Sequence, residues 1–157
     1  MSRKVLRGWV AIVAFVKPVR FFTQAEASAV VAAIEPRVRR LREAYERFAE
    51  CGQHLEDMTI VYGPAAKDPA GEAYDEWMRY SGEAELLRAE VQQLVDEIQA
   101  AGAQVKDPAI GLLDFYAKRG EEVVFLCWRL GEDKVEHWHS LTDGFLGRKA
   151  IAQVDLR

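Results

Sequence analysis

"IGLLDFYAKRGEEVVFLCWRLGEDKVEHWH", residues 110–139, holds three apolar or alternating runs separated by Arg119-Gly120 and by Gly131-Glu132-Asp133. The runs "IGLLDFYAK", "EEVVFLCWRL" and "KVEHWH" are rich in aromatic and β-branched residues, and the separators are hairpin chemistry. The spacing predicts a three-stranded antiparallel meander. On its middle strand Val124, Leu126, Trp128 and Leu130 share one face, while Val123, Phe125, Cys127 and Arg129 share the other. Apolar residues on both faces mean that the strand is covered from two sides.

Upstream the period becomes helical. Thr23-Gln24-Ala25-Glu26 is a capping box, in which the threonine hydroxyl accepts from an orphan amide while Glu26 reaches back. The apolar stripe Ala27, Val31, Ile34, Val38, Leu41, Tyr45, Phe48 follows at alternating four- and three-residue steps, with arginines and glutamates around it. Pro36 removes one amide and crowds the Ala32 carbonyl, which predicts a kink. A second stripe runs through Trp77, Tyr80, Ala84, Leu87, Val91, Leu94, Ile98 and Ala101, and Gly102 stands where a left-handed C-terminal residue is wanted. Two such stripes predict a coiled-coil-like antiparallel hairpin. Val30, Leu86 and Val95 widen the apolar face, which must meet the sheet or a second copy.

Between the helices, residues 51–71 ("CGQHLEDMTIVYGPAAKDPAG") read as a long connection, mobile or functional, with a short strand at "MTIVY". Cys51-Gly52-Gln53-His54 has the look of half a zinc site, but no second half follows at zinc-finger spacing.

The chain has 157 residues, 29% of them charged, a balance that suits one globular domain. Its net charge is −4, yet residues 1–20 carry Arg3, Lys4, Arg7, Lys17 and Arg20 and no acid. The rest holds 16 basic and 25 acidic residues, a charge of −9, which disfavours nucleic acid as a partner. The run "GWVAIVAFV" (residues 8–16) imitates a signal sequence, but lacks a cleavage site and falls short of the roughly 20 residues that span a bilayer. A strand or tail packed on the body is the expected reading, ahead of a membrane role or an over-extended gene start. Two separated cysteines outside any CxxC arrangement indicate a reducing, cytoplasmic compartment.

Phe22-Thr23 with Glu26-Ala27, Gly111-Leu112 with Asp114-Phe115, Leu126-Cys127-Trp128 with Gly131-Glu132, Trp138-His139, and Gly144-Phe145 with Gly147-Arg148 form a set of short motifs. Together they resemble the prokaryotic domain-of-unknown-function (DUF) family 2203, over residues 22–149. Residues 1–20 and 51–71 lie outside that pattern. The resemblance implies no activity, substrate or cofactor.

The candidate chemistry gathers in the C-terminal block. His137 and His139 stand at i and i+2 of a strand and present both imidazoles to one side, a spacing that suits one divalent metal ion. Asp114 or Glu132 would complete a His-His-acid set with an open position for water. Against this stands ordinary architecture. Glu132 lies in turn chemistry, and a buried Asp114 is best satisfied by a charge-assisted pair with Arg148. Trp128 and Trp138 fall on neighbouring strands, as a cross-strand pair or, with Arg148, as the lining of a small-ligand pocket. "DGFLGRK" (residues 143–149) offers two glycines and two cations to an anion, but reads first as a turn that folds Phe145 inward. Cys127 is expected to be buried and inert. No nucleophile elbow, zincin or dinucleotide motif is present.

The expected protein is thus α+β: an N-terminal extension (1–21), then one domain (22–157) with a helical hairpin (23–102) packed on a three-stranded meander and C-terminal loop (105–157). The expected function is a homo-oligomeric interaction or scaffold protein, a homodimer through the surplus apolar face or a binder of another protein through the hairpin. The alternatives are a metal-dependent, hydrolase-like enzyme using Asp114, Glu132 and His139, or a small anionic-ligand binder.

Overall fold

The computed structural model describes residues 19–151. The apolar run at 8–16 and the last six residues lie outside the described residues. The protein is α+β, with two long helices and one antiparallel sheet.

Helix α1 (Gln24–Tyr62) opens on the expected capping box: Glu26 N donates to Thr23 Oγ1 at 3.2 Å, and Thr23 N donates to Glu26 Oε2 at 2.8 Å. The hydrogen bond from Thr23 holds the Glu26 carboxyl below its ordinary value. Ala27, Val31, Ile34, Val38 and Leu41 are buried as the stripe requires, and Pro36 sits inside the helix on an exposed position.

The helix does not stop near residue 50. It continues through Cys51 and the supposed strand "MTIVY" to Tyr62, where Gly63 (φ 56°) and Pro64 end it. Cys51 and Met58 are buried and prolong the helical stripe, while Gly52 is exposed, with nothing within reach of an added Cβ. One solvent-facing glycine costs a helix only about 1 kcal/mol, too little to break it. The true connection is residues 63–73, including a 3-10 turn at Gly63–Lys67.

Helix α2 (Tyr74–Ala100) turns its whole anticipated stripe inward: Leu87 and Ile98 are buried and Trp77, Tyr80, Ala84, Val91 and Leu94 half-buried. Three ion pairs link the helices, Arg37–Glu97 (3.2 Å), Arg40–Glu90 (2.5 Å) and Arg47–Glu83, and His54 makes a hydrogen bond with Glu76 (3.0 Å). The α2 partner number falls as the α1 number rises. These pairs are largely solvent-exposed and contribute little to stability. Gly102 (φ 99°) ends the segment under the Phe22 ring.

The sheet has five strands, not three: β1 (Gln104–Asp107), β2 (Leu112–Arg119), β3 (Glu122–Arg129), β4 (His137–Ser140) and β5 (Lys149–Ala150), in sequence order and all antiparallel. The two extra edge strands span four and two residues, too short to show alternation, and Pro108 limits β1 by lacking an amide. β4 also starts later than expected. Val135 is spoken for by α1: its N–H donates to Ser28 Oγ (3.2 Å) and its carbonyl accepts from Gln24 Nε2 (2.8 Å).

Leu113, Phe115, Ala117, Val124, Leu126 and Trp128 form the helix-facing side of the sheet and share one core with Val31, Ile34, Val38, Leu41 and Ile98. Trp128 Nε1 donates to the Glu132 carbonyl at 2.8 Å, so the indole is buried with its polar atom satisfied. The opposite side carries the chemistry.

Candidate functional site

Strand register builds that side. Asp114 lies opposite Cys127 and Cys127 opposite His137; in the next row Tyr116 lies opposite Phe125 and Phe125 opposite His139. Cross-strand partners share a face, so Asp114, Cys127, His137 and His139 project together. Asp114 (2% exposed), Cys127 (0%) and His139 (3%) are sealed.

His139 Nε2 stands 3.2 Å from Asp114 Oδ1 and 3.2 Å from Oδ2, and Nδ1 stands 2.7 Å from the Ser140 carbonyl. A carbonyl can only accept, so Nδ1 carries a proton. The contact at Nε2 then needs one further proton, held between the ring and the carboxylate. The pair is therefore neutral as a whole. Burial, together with the nearby Asp114 carboxylate, pushes the Cys127 thiol up to about 12. Lys106 Nζ approaches Asp114 Oδ2 at 4.0 Å from β1 while resting over the Phe125 ring.

A second cluster sits beside the first. The Arg148 guanidinium donates to Glu132 Oε1 and, at 2.7 Å, to His137 Nδ1. The expected Asp114–Arg148 pair is not formed. Asp114 is on β2, and β3 and β4 lie between it and the start of β5, so Arg148 meets Glu132 in the turn after β3 first. His137 and His139 share a side as anticipated, but His137 Nδ1 accepts from Arg148, whereas His139 Nε2 faces Asp114.

Trp128 and Trp138 do not stack on one another. Trp138 is opposite Leu126 in register and lies beneath Arg119 (4.7 Å) and Lys149 (5.1 Å). Both indoles belong to the helix-facing side, so they do not line one pocket with Arg148, whose guanidinium packs over Phe145 (4.9 Å). The "DGFLGRK" segment is a turn, with a 3-10 helix at Phe145–Gly147, and Phe145 is half-buried beneath Arg129 and Arg148.

The residue that sequence reasoning set aside is Cys127. Asp114, Cys127 and His139 place one ligand-type atom each within 4.8 Å of one another, and His137 and Glu132 stand outside that group. Cys51, the other half-site candidate, lies buried between the helices against Ala44 and Leu87. His54 stacks on Tyr80 at 3.8 Å.

A family model described as "Uncharacterized conserved protein (DUF2203)" matches residues 20–151. The chain belongs to the DUF2203 family. The match takes in both helices, all five strands and every site residue named above. No curated protein and no solved structure matches the chain. Membership in DUF2203 accounts for the fold-bearing segments and assigns no chemistry.

Among the described residues no helix is long and apolar enough to cross a membrane. Two surface depressions, one lined by Val19, Gln99, Gly102, Gln104 and Tyr116 and one along α2 from Arg88 to Ala100, include none of Asp114, Cys127, His137 and His139 in their lining.

Proposed function

We propose that this DUF2203 protein is an interaction or scaffold protein that associates with a second copy of itself through the far end of its helices. The carrying observation is the exposed apolar run Ile60, Val61, Tyr62 (76%, 72% and 40% exposed), with Met78 of α2 also exposed. Leu41 is the last α1 residue in the core shared with the sheet, so Ile60 stands about 28 Å further along the helix. A soluble chain gains nothing from three consecutive exposed apolar residues there unless another surface covers them. Val30 and Val95, expected to be surplus, pack against the core at the sheet end, while Leu86 is 75% exposed. Ile60, Val61 and Tyr62 thus add exposed apolar surface at the tip to that of Leu86 along α2.

On this reading α1 and α2 are a two-stranded antiparallel coiled-coil-like hairpin and serve as an arm, with the sheet as its anchor. A second copy is favoured as occupant because a homodimer interface pairs one patch with itself, and an apolar patch is self-complementary without matching charges. The acidic body argues against nucleic acid. Two free, buried cysteines fit a reducing cytoplasm.

The test is a charge placed on the tip. Ile60→Glu combined with Val61→Glu should leave helical circular dichroism unchanged and convert a dimer to a monomer in sedimentation. An unchanged assembly state in that variant removes the tip as the contact.

A further inference from the structure

We propose that Asp114, Cys127 and His139 form a binding site for one divalent, borderline-soft metal ion, of which Zn2+ is the best match. The site is independent of helical association, because it lies on the side of the sheet that faces away from the helices.

The donor set is the first reason. One thiol, one imidazole and one carboxylate, each on a different strand, place their ligand atoms within 4.8 Å of one another, and all three are buried. Around a tetrahedral zinc, with bonds of about 2.0–2.3 Å, neighbouring ligand atoms lie roughly 3.3–3.8 Å apart. Histidine and aspartate already stand at 3.2 Å, so only the sulfur has to close in, by about 1.3 Å or less. Thiolate and imidazole together select zinc over magnesium or calcium, which want oxygen. Three protein donors leave a fourth position for water.

The second reason is charge. The metal-free site is neutral: a protonated thiol, and a His139–Asp114 pair that shares one proton at Nε2. Metal binding forms M–S, M–N and M–O bonds. It releases the thiol proton and the shared proton, two in all, and leaves a dication balanced by thiolate and carboxylate. The filled site is again neutral, so burial exacts no net-charge penalty. Lys106, which is exposed and 4.0 Å from Asp114 Oδ2, remains accessible to solvent. Nδ1 of His139 keeps its Ser140 carbonyl, the outer hydrogen bond that fixes the ring with Nε2 toward the metal.

The experiment uses the full chain, stripped by a chelator and titrated with Co2+ alone, then with Zn2+. The expected result is one cobalt per chain, with a near-ultraviolet thiolate-to-cobalt band that Zn2+ abolishes. Release of two protons per metal should strengthen binding by up to about 100-fold per pH unit. The chain has two cysteines, Cys51 and Cys127. The band should therefore persist in Cys51→Ser and vanish in Cys127→Ser; if Cys127→Ser fails to fold, retention in Cys51→Ser alone assigns the sulfur. Absence of a thiolate band in folded wild-type protein at excess Co2+, or its loss in Cys51→Ser, overturns the site.

Discussion

His139 and Asp114 form a closed pair beneath the sheet surface: the imidazole Nε2 is 3.2 Å from the carboxylate, Nδ1 is satisfied by the Ser140 carbonyl, and both residues are almost wholly buried. Removing one member of such a pair strands the other in a low-dielectric setting. Asp114→Asn or His139→Leu should cost about 3–5 kcal/mol in urea unfolding of the metal-free protein. Asp114→Leu combined with His139→Leu should cost less than the two single changes added together, since nothing charged is then left unpaired. Strict additivity would show that the two side chains do not act as a unit.

Cys127 makes a second, pH-dependent prediction. Its thiol is pushed from its ordinary value of 9.0 up to about 12 by burial and by Asp114. A raised value favours the protonated form in the folded state, so this contribution is complete below about pH 9 and is lost as the pH climbs toward 12. The loss should be on the order of 1 kcal/mol per pH unit in that window. Cys127→Ala should flatten the alkaline limb of the stability profile relative to wild type. Both cysteines, buried and held as thiols, should resist a water-soluble thiol reagent until denaturant opens the fold.

The start of α1 gives a prediction of opposite sign. Glu26 is held below its ordinary value of 4.5 by the Thr23 hydrogen bonds, so its contribution is present above that value and lost as the pH falls below it. Thr23→Ala should cost about 1 kcal/mol at neutral pH. Glu26→Gln should weaken the acid dependence of stability in the same region, without changing behaviour above pH 6.

Gly102 tests the junction of helix and sheet. A Cβ there would lie 2.4 Å from Cζ of Phe22, at φ 99°. Gly102→Ala should therefore lose about 2–4 kcal/mol, from overpacking and from the left-handed backbone. Adding Phe22→Leu should restore only part of this, because it relieves the contact and not the dihedral. Full restoration in thermal melts would place the whole cost in packing.

Much of this architecture is legible in the residues. The stripe from Trp77 to Ala101 is half-buried or buried at every position, and the Thr23–Glu26 box forms as written. Residues 51–62 mislead because Gly52 and the β-branched Thr59, Ile60 and Val61 imitate a break and a strand, while Cys51 and Met58 quietly hold the helical period. The site is legible in part. Arg119 opposite Glu122 across a tight turn, with Gly120 at φ 61°, sets Asp114 opposite Cys127 by counting back, so the cysteine's place was available from the hairpin alone. The partner of Arg148 was not. It depends on the path of residues 140–148, where glycine turns and a 3-10 helix leave no periodicity to read.

Self-association is proposed through the tip that carries Ile60, Val61 and Tyr62. Sedimentation equilibrium of the unmodified chain across a wide concentration range tests it most directly. A mass of twice 17.8 kDa, falling to 17.8 kDa only on dilution, is the result this account predicts. A single 17.8 kDa species at every concentration would contradict it.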